Sequence, residues 1–101
     1  MADELRFEWD ARKAQANRRK HGVSFEVAAL IFGDPLAEKQ LQGDEHGEAR
    51  WTAIGEAGGA IFFVVYTTRE KGKEEVIRII SARKASRGER RAYQGNPEND
   101  S

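Results

Sequence analysis

The feature that most constrains the fold is a series of apolar segments separated by short, glycine-containing turns in the second half of the chain. The central segment, AIFFVVYTT, is rich in β-branched and aromatic residues, which is typical of a buried strand. Gly58 and Gly59 precede it as a tight turn. Because consecutive strands joined by short loops pair antiparallel, this region predicts an antiparallel meander. The predicted strands are 49–56, 60–68 and 76–83, with a charged hairpin loop at 69–75.

Helical signals lie on both sides of this meander. Asp10 is predicted to cap a first helix that ends at Gly22, since short acceptors begin helices and glycine adopts left-handed backbone at their ends. Ser24 is predicted to cap a second helix, in which Val27 and Leu30 widen a buried apolar face. The other predicted elements are strands at 5–8 and 36–41, a polar loop at 42–47, and a last helix at 87–94 that Ser86 caps.

Helices segregated from a sheet of consecutive hairpins define an α+β domain. The chain has 101 residues, 39% of them hydrophobic, which suits one domain; we expect it to span residues 1–95, followed by a disordered polar tail at 96–101. The lack of cysteine excludes a disulfide scaffold, a thiolate metal site and a cysteine nucleophile. No apolar run approaches the roughly 20 residues of a membrane helix, and the N-terminus has no apolar signal region, so we expect a soluble cytoplasmic protein.

Charge is balanced overall but segregated along the chain. The 17 basic and 17 acidic side chains give a formal net charge of zero, yet two basic blocks flank an acidic middle. Because a local basic stripe attracts phosphate, these blocks indicate a nucleic-acid partner; the alternative is that both are solvated helix faces. The first block contains Arg12, Lys13, Arg18, Arg19 and Lys20, and the second contains Arg78, Arg83, Lys84, Arg87, Arg90 and Arg91.

Arg78 is the most informative single residue, because it interrupts the aliphatic strand VIRII. A buried unpaired guanidinium is costly, so this side chain must face solvent, a carboxylate or a cleft. Strand alternation places Ile77 and Ile79 in the core and Arg78 on the open face of the sheet, with Arg83 on the other parity. Arg50 also projects from its strand to the open face, where planar guanidinium groups can converge on a phosphate. An ordinary polar strand face is the alternative.

The remaining titratable residues give weaker signals. His21 and His46 are the only histidines, and their spacing matches no zinc-binding pattern. His21 is either a helix C-terminal cation or a catalyst, whereas His46 is expected to be ordinary surface. Glu89 and Tyr93 are one helical turn apart and therefore share a face of the last helix.

Several motifs, in their order along the chain, resemble the BrnT family of type II toxins. The resemblance runs from about residue 7 to residue 93, and the ordered set is more specific than any single motif. It implies a RelE-like fold and a ribonuclease that inhibits translation. It also implies a BrnA-like antitoxin whose ribbon-helix-helix domain binds DNA, so that the toxin reaches DNA only through a heterotetrameric complex. The motifs are FEWD at 7–10, RKHGVSFE at 19–26, FGDPL at 32–36, AIG at 53–55, RIISARKA at 78–85 and ERRAY at 89–93.

The resemblance and the residue types together give candidate roles. Cleavage by the RNA's own 2′-hydroxyl needs an oriented nucleophile and stabilised phosphorane charge, which cationic donors supply without a metal or a cofactor. The catalytic candidates are Arg78 and Arg83 for phosphate stabilisation and Glu89 and His21 for proton transfer. The RNA-binding candidates are Arg50, Lys20, Arg90 and Tyr93, the last either by stacking on a base or by orienting the scissile phosphate.

The sequence leaves two other functions open. The first is a non-catalytic nucleic-acid-binding module, which would bind RNA with a steep salt dependence and leave it intact. The second is an adaptor domain that has only protein partners and neither binds nor cuts RNA.

Overall fold

The computed structural model describes residues 4–45 and 47–94, and the α+β architecture predicted from the sequence is confirmed there. Its elements are β1 (Glu4–Glu8), α1 (Ala11–His21), α2 (Phe25–Ala29) followed by a 3₁₀ turn (Leu30–Gly33), β2 (Glu38–Glu45), β3 (Glu48–Ala57), β4 (Ala60–Lys71), β5 (Glu74–Lys84) and α3 (Arg87–Gln94). His46 and the predicted tail at 96–101 lie outside the described residues. Within the described ranges, no helix is both long enough and apolar enough to cross a membrane.

One sheet holds the five strands in the order β1-β5-β4-β3-β2. Strands β2 to β5 form the predicted antiparallel meander. The first strand, β1, instead pairs in parallel with β5, which places Glu8 beside Arg78. A parallel pair requires a long crossover, and here the crossover contains both N-terminal helices and most of the meander.

The predicted helix boundaries are confirmed where side chains cap them. The carboxylate of Asp10 accepts the backbone N–H groups of Arg12 and Lys13 at 2.8 and 3.2 Å. Gly22 ends α1 with a left-handed φ of 71°. The Ser24 hydroxyl accepts the N–H of Val27 at 3.1 Å and so begins α2.

The predicted burial of the second helix is wrong at Val27 and Leu30, which are 37% and 62% exposed. The α-helix ends at Ala29 and tightens into the 3₁₀ turn. A 3₁₀ turn repeats every three residues, so Ala28 and Ile31 align toward the core while Leu30 is carried outward.

Two predicted loops are wrong because strands extend into them. Strand β2 continues through residues 42–45 past a bulge between Leu41 and Gly43, so only the end of the predicted 42–47 loop is a turn. The β4–β5 hairpin closes at Gly72 and Lys73 rather than over residues 69–75. Gly72 has a φ of 64°, which suits this two-residue turn.

The core lies between the helices α1 and α2 and one face of the sheet, which we call the inner face. Its members include Phe25, Ala28 and Ile31 from the helical layer and Val64, Tyr66, Ile79 and Ala82 from the sheet. The layers approach so closely at Gly55 that a Cβ atom there would lie 2.9 Å from the Cβ of Ile31. The opposite face of the sheet, which we call the outer face, has no cover from α1 or α2 and carries Arg50, Arg78 and Arg83 of the predicted site.

Candidate functional site

The outer face is organised as rows of side chains that run across the strands. Paired residues of neighbouring strands point the same way and lie about 5 Å apart, and successive rows are about 7 Å apart along a strand. The near row, at the α3 end, is Glu38, Ile54, Phe63 and Arg83; the middle row is Gln40, Thr52, Val65 and Ser81; the far row is Gly43, Arg50, Thr67, Arg78 and Glu8.

A bulge in the β4–β5 ladder brings Arg78 and Arg83 to the same face. Ile80 has no partner on β4, because the pairing steps from Ile79 directly to Ser81. The extra residue reverses the alternation of side chains, so the prediction that Arg83 has the other parity is wrong. The inward direction of Ile79, which is 1% exposed, is confirmed.

In the far row, Arg78 is held by a carboxylate from β1. Its Nη1 donates to Oε2 of Glu8 at 3.0 Å, and 43% of the Arg78 side chain remains exposed. Arg69 approaches the same carboxylate oxygen at 3.5 Å. Arg50 is exposed and lies in the same row beyond Thr67. The far row therefore presents guanidinium groups to solvent, with Glu8 fixing the position of Arg78.

In the near row, Arg83 makes two hydrogen bonds to a carboxylate, whereas Arg78 makes one. The two terminal nitrogens of Arg83 donate to the two carboxylate oxygens of Glu89 at 2.7 and 2.8 Å, and its guanidinium carbon lies 4.3 Å from the ring centre of Phe63. These hydrogen bonds lower the pKa of Glu89 to about 2, against the opposing effect of partial burial. The same pair raises the pKa of Arg83. Both groups are ionised at neutral pH, so Glu89 in the free protein holds Arg83 and carries no proton.

Glu89 also closes the first turn of α3. Its Oε1 accepts the N–H of Ser86 at 2.8 Å, and the Ser86 hydroxyl accepts the N–H of Glu89 at 3.2 Å. This reciprocal pair is a capping box, which the spacing S-x-x-E signals in sequence. The predicted cap at Ser86 is thus confirmed, and it brings the Arg83–Glu89 pair to the start of α3.

We expect Glu89→Gln to lower the free energy of unfolding by about 1–2 kcal/mol at pH 7. The expected loss is modest because the Arg83 side chain is partly exposed, and solvent weakens an exposed ion pair. Glutamine keeps one acceptor oxygen for the capping box, removes the charge and replaces the other oxygen with an NH₂ group, which cannot accept a hydrogen bond from Arg83. Because folding lowers the pKa of Glu89, its stabilisation is full above about pH 4.5 and is lost as the pH falls toward 2. Urea unfolding at pH 7, 4 and 3 should show the gap between wild type and variant narrowing with acid. A gap that stays constant, or that widens, would contradict the assigned pair.

Tyr93 anchors α3 to the rest of the fold. Its hydroxyl donates to Oδ2 of Asp34, and the same oxygen accepts the backbone N–H of Glu56 at 2.8 Å. The hydrogen bond to Asp34, with desolvation, raises the pKa of Tyr93 to about 12, and the charges of Glu56 and Glu38 contribute in the same direction. Burial opposes the charge of Asp34, but hydrogen bonds from Tyr93 and from backbone amides keep the pKa of that carboxyl below its usual value.

The other predicted site residues are more scattered. Arg90, on α3, donates to the carbonyl of Ala85 at 3.1 Å. Lys20 and His21 are exposed in the last turn of α1, which belongs to the helical layer. The structure therefore joins Arg83 to Glu89 at one end of the outer face and places Arg90 and Tyr93 on the same helix as Glu89. It leaves Lys20 and His21 on a different layer.

Sequence reasoning missed Glu8, Phe63 and Asp34. The partner of Arg78 is Glu8, but no local pattern indicates that β1 pairs with β5. Phe63 lies within the predicted central strand. Its alternation with Phe62 and Val64, which are buried, is the signal that could have placed its side chain on the outer face. In the sequence, Asp34 is a helix-stopping residue. No residue near it indicates that its carboxylate accepts a hydrogen bond from Tyr93.

Comparison with protein-family models identifies the class as the ribonuclease toxins of type II toxin–antitoxin systems. Residues 9–89 match the ribonuclease toxin BrnT, and the chain belongs to the BrnT family. Comparison with curated protein sequences gave no match. The matched segment includes Arg78, Arg83 and Glu89, whereas Glu8, Arg90 and Tyr93 lie just outside it.

Proposed function

We propose that this chain is a metal-independent endoribonuclease toxin that inhibits translation in the cytoplasm by cutting RNA. The observation that carries the proposal is the outer face, where Arg78 and Arg83 project from one strand on either side of a neutral middle row. Each guanidinium is oriented by a carboxylate before any substrate arrives. Such preorganised cations suit the charge that develops on a phosphorane.

The proposed reaction uses the substrate's own nucleophile. The 2′-oxygen attacks the adjacent phosphorus and loses its proton, the bond from phosphorus to the 5′-oxygen breaks, and that oxygen takes up a proton. The products are a 2′,3′-cyclic phosphate and a 5′-hydroxyl. We place the scissile phosphate over Ser81, in the middle row, because the side chains of Arg78 and Arg83 reach this position from the rows on either side.

The other candidate residues have supporting roles in this scheme. Arg50 contacts the neighbouring backbone phosphate in the far row, and Arg90 and Tyr93 border the RNA at the α3 end. Glu89 releases Arg83 to the phosphate and becomes available as a proton acceptor in the complex. Lys20 and His21, on the helical layer, contact RNA that extends beyond the sheet; a proton-transfer role for His21 requires the RNA to reach that layer.

The purified protein is expected to degrade single-stranded RNA in excess EDTA. This expectation follows from the proposed mechanism, in which guanidinium groups rather than a metal ion stabilise the phosphorane charge. The fragments should end in 2′,3′-cyclic or 3′-phosphate, and a single 2′-deoxy substitution at the scissile nucleotide should stop cleavage there. Loss of activity on chelation, with recovery on adding Mg²⁺, would contradict the mechanism. Tight, salt-sensitive binding to intact RNA would instead favour the non-catalytic module.

We further propose that a BrnA-like ribbon-helix-helix antitoxin silences the toxin by covering the outer face. Acidic side chains of the partner would match the exposed guanidinium groups of Arg50 and Arg78, and its apolar side chains would bury exposed strand or helix surface. The antitoxin supplies the dimer axis and the DNA contacts, which gives a heterotetramer. Light scattering of the co-expressed pair should return the mass of two toxins and two antitoxins, and addition of the partner should stop RNA cleavage. A complex of other mass, or one that still cuts RNA, would contradict this arrangement.

A further inference from the structure

A depression between the near and middle rows is not used by the cleavage chemistry. It has a volume of about 340 Å³ and is lined by Glu38, Lys39, Gln40, Thr52, Ile54 and Phe63. This volume falls at the lower end of the range for small-molecule sites, about 300–1,000 Å³. Its lining comes from β2, β3 and β4, so it lies on the side of Phe63 away from Arg83.

The floor and the rim of this depression differ in chemistry. Phe63 and Ile54 are cross-strand partners and form an apolar floor beside the phosphate position. Glu38 pairs with Ile54 and places a carboxylate at the β2 edge. The ammonium of Lys39 lies 5.6 Å from the ring centre of Phe32, in the inner layer, and no salt bridge joins it to Glu38 in the described part of the chain. A carboxylate on this rim repels phosphate and attracts hydrogen-bond donors.

Thr52 completes the rim with a directed hydroxyl. Its oxygen accepts a hydrogen bond from Nε2 of Gln42 at 3.2 Å. The hydroxyl hydrogen of Thr52 is therefore available to donate to a ligand. The depression thus offers an aromatic surface, a two-oxygen acceptor and one donor within a single small space.

We propose that this depression is a base-binding subsite that selects guanine on the nucleotide next to the phosphate between Arg78 and Arg83. The inference rests on the proposed ribonuclease function and adds a sequence preference to it. An unpaired base is recognised by stacking on aromatic side chains and by hydrogen bonds to its Watson–Crick edge. Guanine presents two adjacent donors, N1–H and N2–H, to the carboxylate of Glu38 and an acceptor, O6, to the Thr52 hydroxyl. Adenine and cytosine each place a ring-nitrogen acceptor against the carboxylate, and uracil offers a single donor.

The direct test is an NMR titration of the protein with the four nucleoside 3′-monophosphates. Guanosine 3′-monophosphate should bind about tenfold more tightly than the adenosine compound, with shifts at the amides of Thr52, Ile54 and Phe63. Glu38→Gln should reduce this preference to within about threefold, and Thr52→Val should weaken only the guanosine compound. Glu26→Gln, an exposed change on α2, should alter neither value. Equal affinity for all four compounds, or a preference that survives Glu38→Gln, would overturn the subsite.

Cleavage of oligonucleotides that contain one guanosine separates this inference from the proposed function. If the wild type cuts beside the guanosine and Glu38→Gln cuts without base preference, the result supports both the guanine subsite and the ribonuclease activity. Cutting at all positions by wild type would overturn the subsite while leaving the ribonuclease activity intact. Selective binding of guanosine 3′-monophosphate by a protein that leaves RNA uncut would support the subsite and overturn the proposed reaction.

Discussion

Arg78→Ala is expected to abolish growth arrest on induction while leaving the fold intact. Its side chain is 43% exposed and its pairing with Glu8 is a surface ion pair, worth about 0–1 kcal/mol of stability. The loss of a preorganised donor from the transition state should cost about 3 kcal/mol, or roughly a hundredfold in cleavage rate. Induced growth curves, the cleavage rate of a fluorogenic RNA and the melting temperature of the purified variant test these expectations together.

Arg12→Ala provides the matched control for this experiment. Arg12 is an exposed arginine in the first turn of α1, and its removal should change neither cleavage nor melting by a measurable amount. A folded Arg78→Ala protein that still arrests growth would show that the far row does not meet the scissile phosphate. A variant that is inactive only because it is unfolded would assign Arg78 to structure rather than to the site.

The largest effect on stability is expected from Asn17→Ala. Asn17 is 8% exposed, and its side chain donates to the carbonyls of Val23 and Ala82 at 3.0 and 2.8 Å while accepting the N–H of Ala82 at 3.1 Å. Strand β1 ends opposite Arg78, so Asn17 satisfies the backbone of β5 at a point where β1 no longer covers it. Alanine would leave these buried groups without partners, at a cost of about 2–4 kcal/mol.

Urea unfolding and thermal melting measure this loss, since each kcal/mol corresponds to about 4–8 °C for a domain of this size. Gln15→Ala is the control, because Gln15 is exposed on the same helix and its replacement should change stability by less than about 0.5 kcal/mol. If Asn17→Ala is no less stable than Gln15→Ala, then the bonds to Ala82 contribute nothing and water must satisfy that strand edge.

The elements of the fold could be predicted because their signals are local. Asp10, Gly22 and Ser24 mark helix ends by chemistry that acts within a few residues, and the apolar run at 60–68 marks the central strand. The lengths of the strands were harder to predict from the sequence. In the β4–β5 hairpin, charged residues extend the ladder by cross-strand pairing, so no hydrophobic pattern marks the strand ends. The 3₁₀ turn after Ala29 likewise depends on packing of Ile31 against Gly55, which is distant in sequence.

The candidate site was predictable in composition and not in geometry. Arg78 stands out because it breaks an aliphatic strand, and its outward direction follows from simple alternation. The position of Arg83 does not follow, because one unpaired residue, Ile80, changes the face of everything after it. Glu8 could not be assigned to Arg78, since only the long-range pairing of β1 with β5 brings these residues together.

The parallel pairing of β1 with β5 also determines when, during synthesis of the chain, the outer face of the sheet is completed. Glu8 and Arg78 are separated by 70 positions, and β5 is the last strand to be synthesised. A nascent chain therefore carries β1 without a neighbour until almost all of the domain has left the ribosome, and contacts of such high sequence separation form slowly. Synthesis from the N-terminus thus delays completion of the outer face to the end of translation, and under the proposed function this is the stage at which an antitoxin first meets that face.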